Sequence, residues 1–132
     1  MHMFDFVGQV QNGASLPSME QAINATRATL STLAERLGAD EARQLGAQLP
    51  AGIGQYLGAA PLERERFSRD EFLRRVSERE GVELPVSARH ARAVLDALQQ
   101  AVSAGEMRDV LQRLPADYAP LFAGTIGKPR FD

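Results

Sequence analysis

The chain has no cysteine among its 132 residues. A disulfide framework, a thiolate nucleophile and a cysteine-ligated metal site are therefore excluded. The absence fits a reducing compartment. No apolar run approaches the ~20 residues of a membrane-spanning helix, and no basic region followed by an apolar run indicates a signal peptide. We therefore expect a cytoplasmic protein that does not interact with a membrane.

An excess of positive charge is also missing. The formal net charge is −2, and fourteen of the fifteen basic residues are arginine. Neither half of the chain has the basic surface with which nucleic-acid-binding domains contact phosphates. The preference for arginine is explained more simply by codon bias than by anion recognition. Nucleic acid is therefore a disfavoured partner.

The residues needed for most catalytic and metal sites are scarce as well. No strand pattern and no G-x-S-x-G turn is present, and Ser68 and Ser103 are interpreted as helix caps. His90 is the only candidate histidine, and it lies in no zinc-binding motif. The G-x-G-x-x-x-G run that begins at Gly52 lacks the preceding strand and the lysine of a phosphate-binding loop. We expect no enzymatic activity, no cofactor and no bound metal.

What the chain does contain is one helical segment in two copies. TRATLSTLAERLGADEARQLGAQLP, residues 26–50, aligns without a gap with residues 91–115 at an offset of 65 residues. The identical pairs include Arg27 with Arg92, Leu30 with Leu95, Glu41 with Glu106, and Leu49-Pro50-Ala51 with Leu114-Pro115-Ala116. A repeat of this kind predicts a duplicated helical hairpin. The repeat therefore indicates how the chain folds, and it says almost nothing about catalytic or binding activity.

Helix caps and hydrophobic spacing predict the individual elements. Ser18, Ser68 and Ser103 are each followed three residues later by Gln or Glu, the spacing of a capping box. The helices expected from these signals span about 3–11, 18–37, 40–49, 53–57, 68–79, 85–102, 103–114 and 117–123. Both long helices carry a leucine stripe and a second stripe of small residues. Two stripes require two neighbours, so the long helices are expected at the centre of a shared core, with Ala28 and Ala93 at close backbone approaches.

Two carboxylate pairs fall in the first turns of predicted helices. Asp40-Glu41 and Asp70-Glu71 lie where the helix dipole favours negative charge, and this is the interpretation we prefer over catalysis. Asp70 with Arg74 and Glu71 with Arg75 have the favoured i, i+4 order of ion pairs on a solvated helix face.

One possible interaction face comprises Arg75, Arg79, Arg89, His90 and Arg92. Together with Arg74, these four arginines could form an anion-binding patch on the polar sides of two consecutive helices. Acidic residues interleave with them, so a solvated face is the favoured interpretation. The spacing predicts a half-buried packing role for His90, without partner residues.

The segments FSRDEFLRRVSEREGV and ARHARAVLDALQQAVSAGEMRDVLQRLPADYAPLF, with ARQLGAQLP in the first copy, resemble the bacterial family called domain of unknown function 2267. The resemblance extends over about residues 3–122. It implies an all-helical, two-repeat fold in a small and mostly cytoplasmic bacterial protein. It implies no activity, cofactor or catalytic residue.

The first copy is expected to pack more loosely than the second. Gly46, Gly52 and Gly54 interrupt its helical segments, and Thr26 and Thr29 stand where larger apolar residues are expected. Such residues could leave room for a small apolar ligand between the repeats.

These observations predict one all-α domain, residues 1–132, built as a helical bundle of two pseudo-symmetric repeats. The repeats cover about 3–59 and 68–123, joined by a solvated linker, 60–67, and followed by a tail, 124–132. The favoured function is a non-enzymatic interaction or regulatory module with a protein partner. A small apolar-ligand binder is the alternative, and weak nucleic-acid binding is the least favoured function.

Overall fold

The computed structural model describes residues 1–122, and this part of the chain is helical without any strand. The α-helices are α1 (Met3–Gly13), α2 (Met19–Leu37), α3 (Ala39–Gln48), α4 (Arg69–Glu80), α5 (Leu84–Ala101) and α6 (Ala104–Gln112). Two 3₁₀ helices follow the hairpins, Gly54–Leu57 and Ala116–Phe122. The all-α prediction is confirmed. The predicted tail, 124–132, lies outside the described residues.

The helix ends follow from local sequence. Ser18, Ser68 and Ser103 each accept a hydrogen bond on Oγ from the backbone N–H three residues on, at 3.1 to 3.3 Å. These bonds satisfy amides that the first helical turn leaves without partners. Gly38 ends α2 with a φ of 86°, and Gly81 ends α4 with a φ of 77°. Glycine takes this backbone conformation without the clash that a Cβ atom would cause.

The central elements are the two long helices and the helices that precede them. Helix α1 packs against α2 and α5, α4 packs against the same two helices, and α2 contacts α5. Each preceding helix therefore lies on the long helix of the other sequence copy as well as on its own. The buried apolar side chains of both copies belong to one cluster. The superposition of the two repeats remains a prediction.

Helices α3 and α6 pack on the outside of these four helices, add buried side chains to the same cluster and run antiparallel past each other. At one end, Gln48 accepts a hydrogen bond on Oε1 from the backbone N–H of Ser103, at 2.8 Å. At the other end, Glu41 at the start of α3 pairs with Arg113, which follows α6, at 3.1 Å. These two contacts join residues 55 and 72 positions apart (103 − 48 and 113 − 41) and hold the two hairpins side by side.

The glycines of the first copy do not loosen it, contrary to the sequence-based expectation. A Cβ atom on Gly54 would lie 2.5 Å from the carbonyl oxygen of Gly46, so glycine is what allows the 3₁₀ turn to pack directly on α3. Thr26 and Thr29 are fully buried, and the Thr26 hydroxyl donates to the carbonyl oxygen of Ala22 at 2.8 Å. Sequence alone could not show this close packing. A glycine in the sequence indicates a flexible backbone, but it does not indicate which atoms lie beside that glycine in the fold.

Of the two ion pairs predicted on α4, one needs correction. Asp70 does not pair with Arg74, because Arg74 binds Glu71 at 2.7 Å and also Glu78. The predicted pair of Glu71 with Arg75 is confirmed at 2.8 Å. One arginine has several carboxylates within reach on an acidic helix, so spacing alone does not select its partner.

At Ala93, the close neighbour is the end of α1. A Cβ atom on Gly13 would lie 3.3 Å from the Cβ of Ala93. The small-residue stripe of α5 therefore accommodates the preceding helix of the first copy at this point. None of the helices within residues 1–122 combines the length and the apolar character needed to cross a lipid bilayer.

Candidate functional site

The predicted interaction face is divided by the structure, beginning with Arg75 and Arg79. Both bind Glu35 of α2, at 3.0 and 2.7 Å, and so tie α4 to α2. Burial alone would raise the pKa of Glu35, but hydrogen bonds from Arg79 and Arg75 outweigh it and lower that pKa below its usual value. Arg75 also lies over the ring of Phe67, 4.0 Å from its centroid. These two arginines are therefore engaged within the protein.

His90 is buried more deeply than expected, with 6% of its surface exposed. Its Nδ1 atom is hydrogen-bonded to the carboxylate of Glu80 at the end of α4. The expectation that no partner accompanies this histidine is wrong. The carboxylate lies ten residues earlier in the chain, across the turn between α4 and α5, where no motif spacing connects the two.

Arg89 and Arg92 occupy a third environment. Both are exposed on α5, and neither is paired with a carboxylate among residues 1–122. The five predicted residues are thus distributed among an ion-pair network, a buried hydrogen bond and open solvent.

The structure instead brings together carboxylates from α3 and α6. Glu41 and Glu106, identical residues in the sequence alignment of the copies, lie in the first turns of these helices. Only 3% of Glu41 and 7% of Glu106 is exposed. Asp109, which is exposed one turn after Glu106, completes the group, and one carboxylate oxygen from each residue lies within 4.8 Å of the other two. We call these three residues the carboxylate cluster.

Negative charge in the carboxylate cluster is only partly neutralised. Burial, together with the hydrogen bond and charge of Glu41, raises the pKa of Glu106 to about 8, and Asp109 adds to the effect. Arg113 opposes it and contacts Glu41 through Oε1. The Oε2 atoms of Glu41 and Glu106 are buried and have no hydrogen-bond partner in the described part of the chain. Buried polar atoms are normally satisfied, so these two require explanation.

Next to the carboxylate cluster lies a groove of about 400 Å³ between α3, the connector between the repeats, and the end of α6. We call it the charged groove, and its charged lining consists of Asp40, Glu41, Glu63, Arg64, Arg66 and Arg113.

The connector, residues 58–68, is exposed along most of its length but held firmly against the fold. The backbone N–H of Ala39 donates to the carbonyl of Pro61 at 2.7 Å, and the N–H of Glu65 donates to a carbonyl of α2 at 2.9 Å. Between these bonds the chain passes close to Gly38, where a Cβ atom would lie 3.0 Å from the backbone nitrogen of Arg64. The connector therefore has a defined path, and Arg64 lies at the rim of the charged groove.

Positive charge in the charged groove is not matched by ion pairs. Arg64 and Arg66 have no carboxylate partner among the described residues, whereas Arg113 is paired with Glu41. The charge of Arg66 lowers the pKa of Arg64, as do partial burial and the charges of Arg36 and Arg113. The depressed pKa of Arg64 therefore marks a locally electropositive surface.

A neighbouring hollow extends this surface and shares Arg66 with the charged groove. Arg36 in its wall is 5% exposed and donates from Nε to the carbonyl of Phe67 at 3.0 Å. Its guanidinium lies 5.7 Å from the ring centroid of Tyr118, and the Tyr118 hydroxyl donates to the same Phe67 carbonyl at 2.8 Å. Another nitrogen of the Arg36 guanidinium is buried without a partner among residues 1–122.

Sequence analysis missed both features for different reasons. The signal for the carboxylate cluster was present, since Glu41 and Glu106 align at the third position of two matched helices. From sequence, Glu41 is assigned to the helix dipole and Glu106 to the capping box of Ser103, and neither residue is related to the other across the fold. The charged groove left no such signal, because its arginines belong to a segment read as a solvated linker.

The fold and these two features describe a small all-helical domain that combines a charged groove with a buried carboxylate cluster. A family model described as an uncharacterized conserved protein, DUF2267, matches residues 4–121. The match covers most of the chain, so the protein belongs to this family, and the resemblance noted from its sequence is confirmed. No curated protein matches the chain significantly.

Proposed function

We propose that this protein is a non-enzymatic binding module whose charged groove binds an acidic segment of a protein partner. The observation that carries the proposal is the presence of Arg64 and Arg66 at the rim, without carboxylate partners in the described structure and close enough to repel each other. A guanidinium forms two parallel hydrogen bonds with a carboxylate, so acidic side chains are suitable ligands.

An apolar residue at the same rim favours a peptide over a simple anion. Leu62 lines the charged groove and is 92% exposed. A partner segment that carries both acidic and apolar side chains would contact Leu62 and the arginines together. An inorganic anion would leave Leu62 in water.

The alternative of a small apolar ligand has less support. A hollow of about 280 Å³ is lined by Gly46, Gly54 and Gly58, but it lies within the first copy and not between the repeats, where this alternative places the ligand. The charged groove itself has a mainly charged lining. Nucleic acid also has less support, because the charged groove offers only two arginines without carboxylate partners among the described residues, whereas nucleic-acid binding relies on an extended basic surface.

A non-enzymatic role is supported by the chemistry of the lining. The described residues around the charged groove contribute carboxylates, guanidiniums, an amide and apolar groups, and none of them contributes a hydroxyl, thiol or imidazole. A groove with this composition provides electrostatic recognition without an evident nucleophile.

The test is fluorescence anisotropy with a labelled peptide of alternating glutamate and leucine. Arg64→Glu combined with Arg66→Glu should weaken binding at least about tenfold, equal to about 1.4 kcal/mol. The matched control is Arg89→Glu with Arg92→Glu, which makes the same charge change on exposed α5 and should leave affinity within about twofold, since only screened long-range charge differs.

Equal weakening in both double variants would contradict the proposal, because it would show attraction to net charge alone. Tight binding of a DNA duplex with a steep salt dependence would instead support the nucleic-acid alternative.

A further inference from the structure

The carboxylate cluster has the arrangement of ligands that a metal ion requires. One oxygen from each of Glu41, Glu106 and Asp109 lies within 4.8 Å of the other two. Oxygen ligands bind Ca²⁺ at about 2.3–2.6 Å, so two ligands on opposite sides of the ion are about 5 Å apart and adjacent ligands are closer. The three oxygens can therefore contact one ion with only small side-chain movements.

A second observation distinguishes this cluster from acidic residues on an ordinary helix surface. Glu41 and Glu106 are both more than nine-tenths buried, and the Oε2 atom of each lacks a hydrogen-bond partner in the described part of the molecule. A buried carboxylate oxygen needs a donor or a cation, because its loss of hydration is otherwise uncompensated. Two such oxygens come from different helices and belong to the same cluster.

The charge balance of the carboxylate cluster also favours a bound cation. Three carboxylates face one guanidinium, that of Arg113, which contacts Glu41 through Oε1 and leaves Oε2 free. Arg113 also donates to the backbone carbonyl of Asp109 at 2.9 Å, so its position is fixed by α6 as well as by α3.

We propose that Glu41, Glu106 and Asp109 form a binding site for one hard divalent cation of the Ca²⁺, Mn²⁺ or Mg²⁺ class. Its ligands are all carboxylate oxygens, which these ions prefer, whereas zinc and copper sites are built mainly from histidine and cysteine. Asp109 is exposed and forms the entrance from solvent. Glu41 and Glu106 form the inner, dehydrated side.

The ion would join α3 to α6 and thereby the two hairpins. It would connect two helices that are far apart in sequence, so binding should raise the melting temperature. This inference does not rest on the proposed function, although Glu41 lines the charged groove as well as the carboxylate cluster.

The experiment uses Mn²⁺ alone with the full chain, and free Mn²⁺ is measured by its electron paramagnetic resonance signal. Wild type should bind one equivalent, and Ca²⁺ or Mg²⁺ should displace it. Glu106→Gln and Asp109→Asn should each weaken binding by at least about tenfold through loss of a charged ligand. The control is Asp40→Asn, which removes a neighbouring exposed carboxylate that is paired with Arg43. This variant should bind Mn²⁺ as wild type does.

The folded state of each variant is checked by thermal unfolding without added cation. Glu106→Gln preserves the shape of the side chain and removes carboxylate repulsion, so it should melt at or above the wild-type temperature. Asp109 is exposed, so Asp109→Asn should also remain folded.

Three results would overturn the proposal. The first is the absence of Mn²⁺ binding by wild type up to millimolar concentrations, which would show that the carboxyl groups hold a proton instead of a cation. The second is equal weakening by Asp40→Asn, which would indicate diffuse attraction to acidic surface. The third is Mn²⁺ binding that Glu106→Gln and Asp109→Asn leave unchanged.

Discussion

His90 and Glu80 form a buried side-chain hydrogen bond across the turn that separates α4 from α5. Only Nδ1 of the histidine and Oε2 of the glutamate take part, and the other glutamate oxygen has no partner in the described structure. The backbone carbonyl of Glu80 also accepts a hydrogen bond from the side chain of Asn24 in α2, at 2.9 Å. The end of α4 is therefore fixed to both long helices.

His90→Ala should destabilise the protein strongly. Removal of one partner of a buried pair leaves the other uncompensated, at a cost of about 3–5 kcal/mol. Urea unfolding followed by circular dichroism measures the change. Arg89→Ala at the preceding, exposed position is the control and should fall within about 0.5 kcal/mol of wild type. Equal stability of the two variants would show that Glu80 finds water when His90 is absent.

The contact of α5 with α1 can be tested at Ala93. Leu95→Ala should cost about 2–5 kcal/mol because it opens a cavity in the core. Ala93→Leu should cost about 1–3 kcal/mol, since the larger side chain meets Gly13 at the end of α1. Both values come from urea unfolding of single variants.

A double-mutant cycle identifies the neighbour of Ala93. Gly13→Ala should destabilise wild type more than it destabilises Ala93→Gly, because the 3.3 Å approach of the two Cβ atoms exists only when both are present. Purely additive effects would mean that the end of α1 does not press on α5 at this point.

Two glycines should respond in opposite directions to the same substitution. Gly54→Ala places a Cβ atom 2.5 Å from the carbonyl oxygen of Gly46 and should destabilise by about 1–3 kcal/mol. Gly8→Ala, inside α1 with no atom within 4 Å of the new Cβ, should stabilise by about 0.5–1 kcal/mol. Thermal unfolding measures both. If Gly54→Ala is neutral, the 3₁₀ turn can move away from α3 at little cost.

The free energy of unfolding should fall in acid, because the carboxylates that bind Arg75 become protonated. Hydrogen bonds from Arg74 and Arg75 lower the pKa of Glu71 from 4.5 to about 2, and Glu35 is shifted in the same direction. A lowered pKa in the folded state means that the contribution is complete above the unfolded value and is lost as the pH falls through the folded value. The decline should therefore lie between pH 4.5 and about 2.

The variant for this prediction is Glu35→Gln with Glu71→Gln. It should be less stable than wild type at pH 7 and should show a flatter dependence of unfolding free energy on pH across that interval. The control is Asp40→Asn, which removes an exposed carboxylate outside the Arg75 network. Its unfolding free energy should depend on pH with the wild-type slope. Parallel curves for the wild type and the double variant would show that other carboxyl groups cause acid unfolding.

Local signals made most of the fold predictable. The caps at Ser18, Ser68 and Ser103 are contacts over three residues, and the breaks at Gly38 and Gly81 depend on single backbone angles. Apolar stripes identify buried faces because helical periodicity fixes which side chains share a side. Each of these features requires only a short window of sequence.

The candidate sites depend on contacts that no short window contains. Glu41 meets Glu106 only because α3 and α6 pack together, and Arg64 reaches the charged groove only because the connector is bonded to two helices. The arginines at 75 and 79 were assigned to a surface because their spacing is that of a polar face, yet Glu35 of α2 binds both. A charged helix face indicates that its side chains need water or an oppositely charged group. It does not indicate which of these the fold supplies.

The contact of α3 with α6 surrounds two aligned glutamates with different neighbours. The residues of the first copy that align with Asp109 and Arg113 are Gln44 and Gln48. Glu106 therefore has an acid and an arginine further along its own segment, whereas Glu41 has neutral amides at the matching positions. An exchange of the two segments would not reproduce the charges at this contact, so the two glutamates are chemically inequivalent.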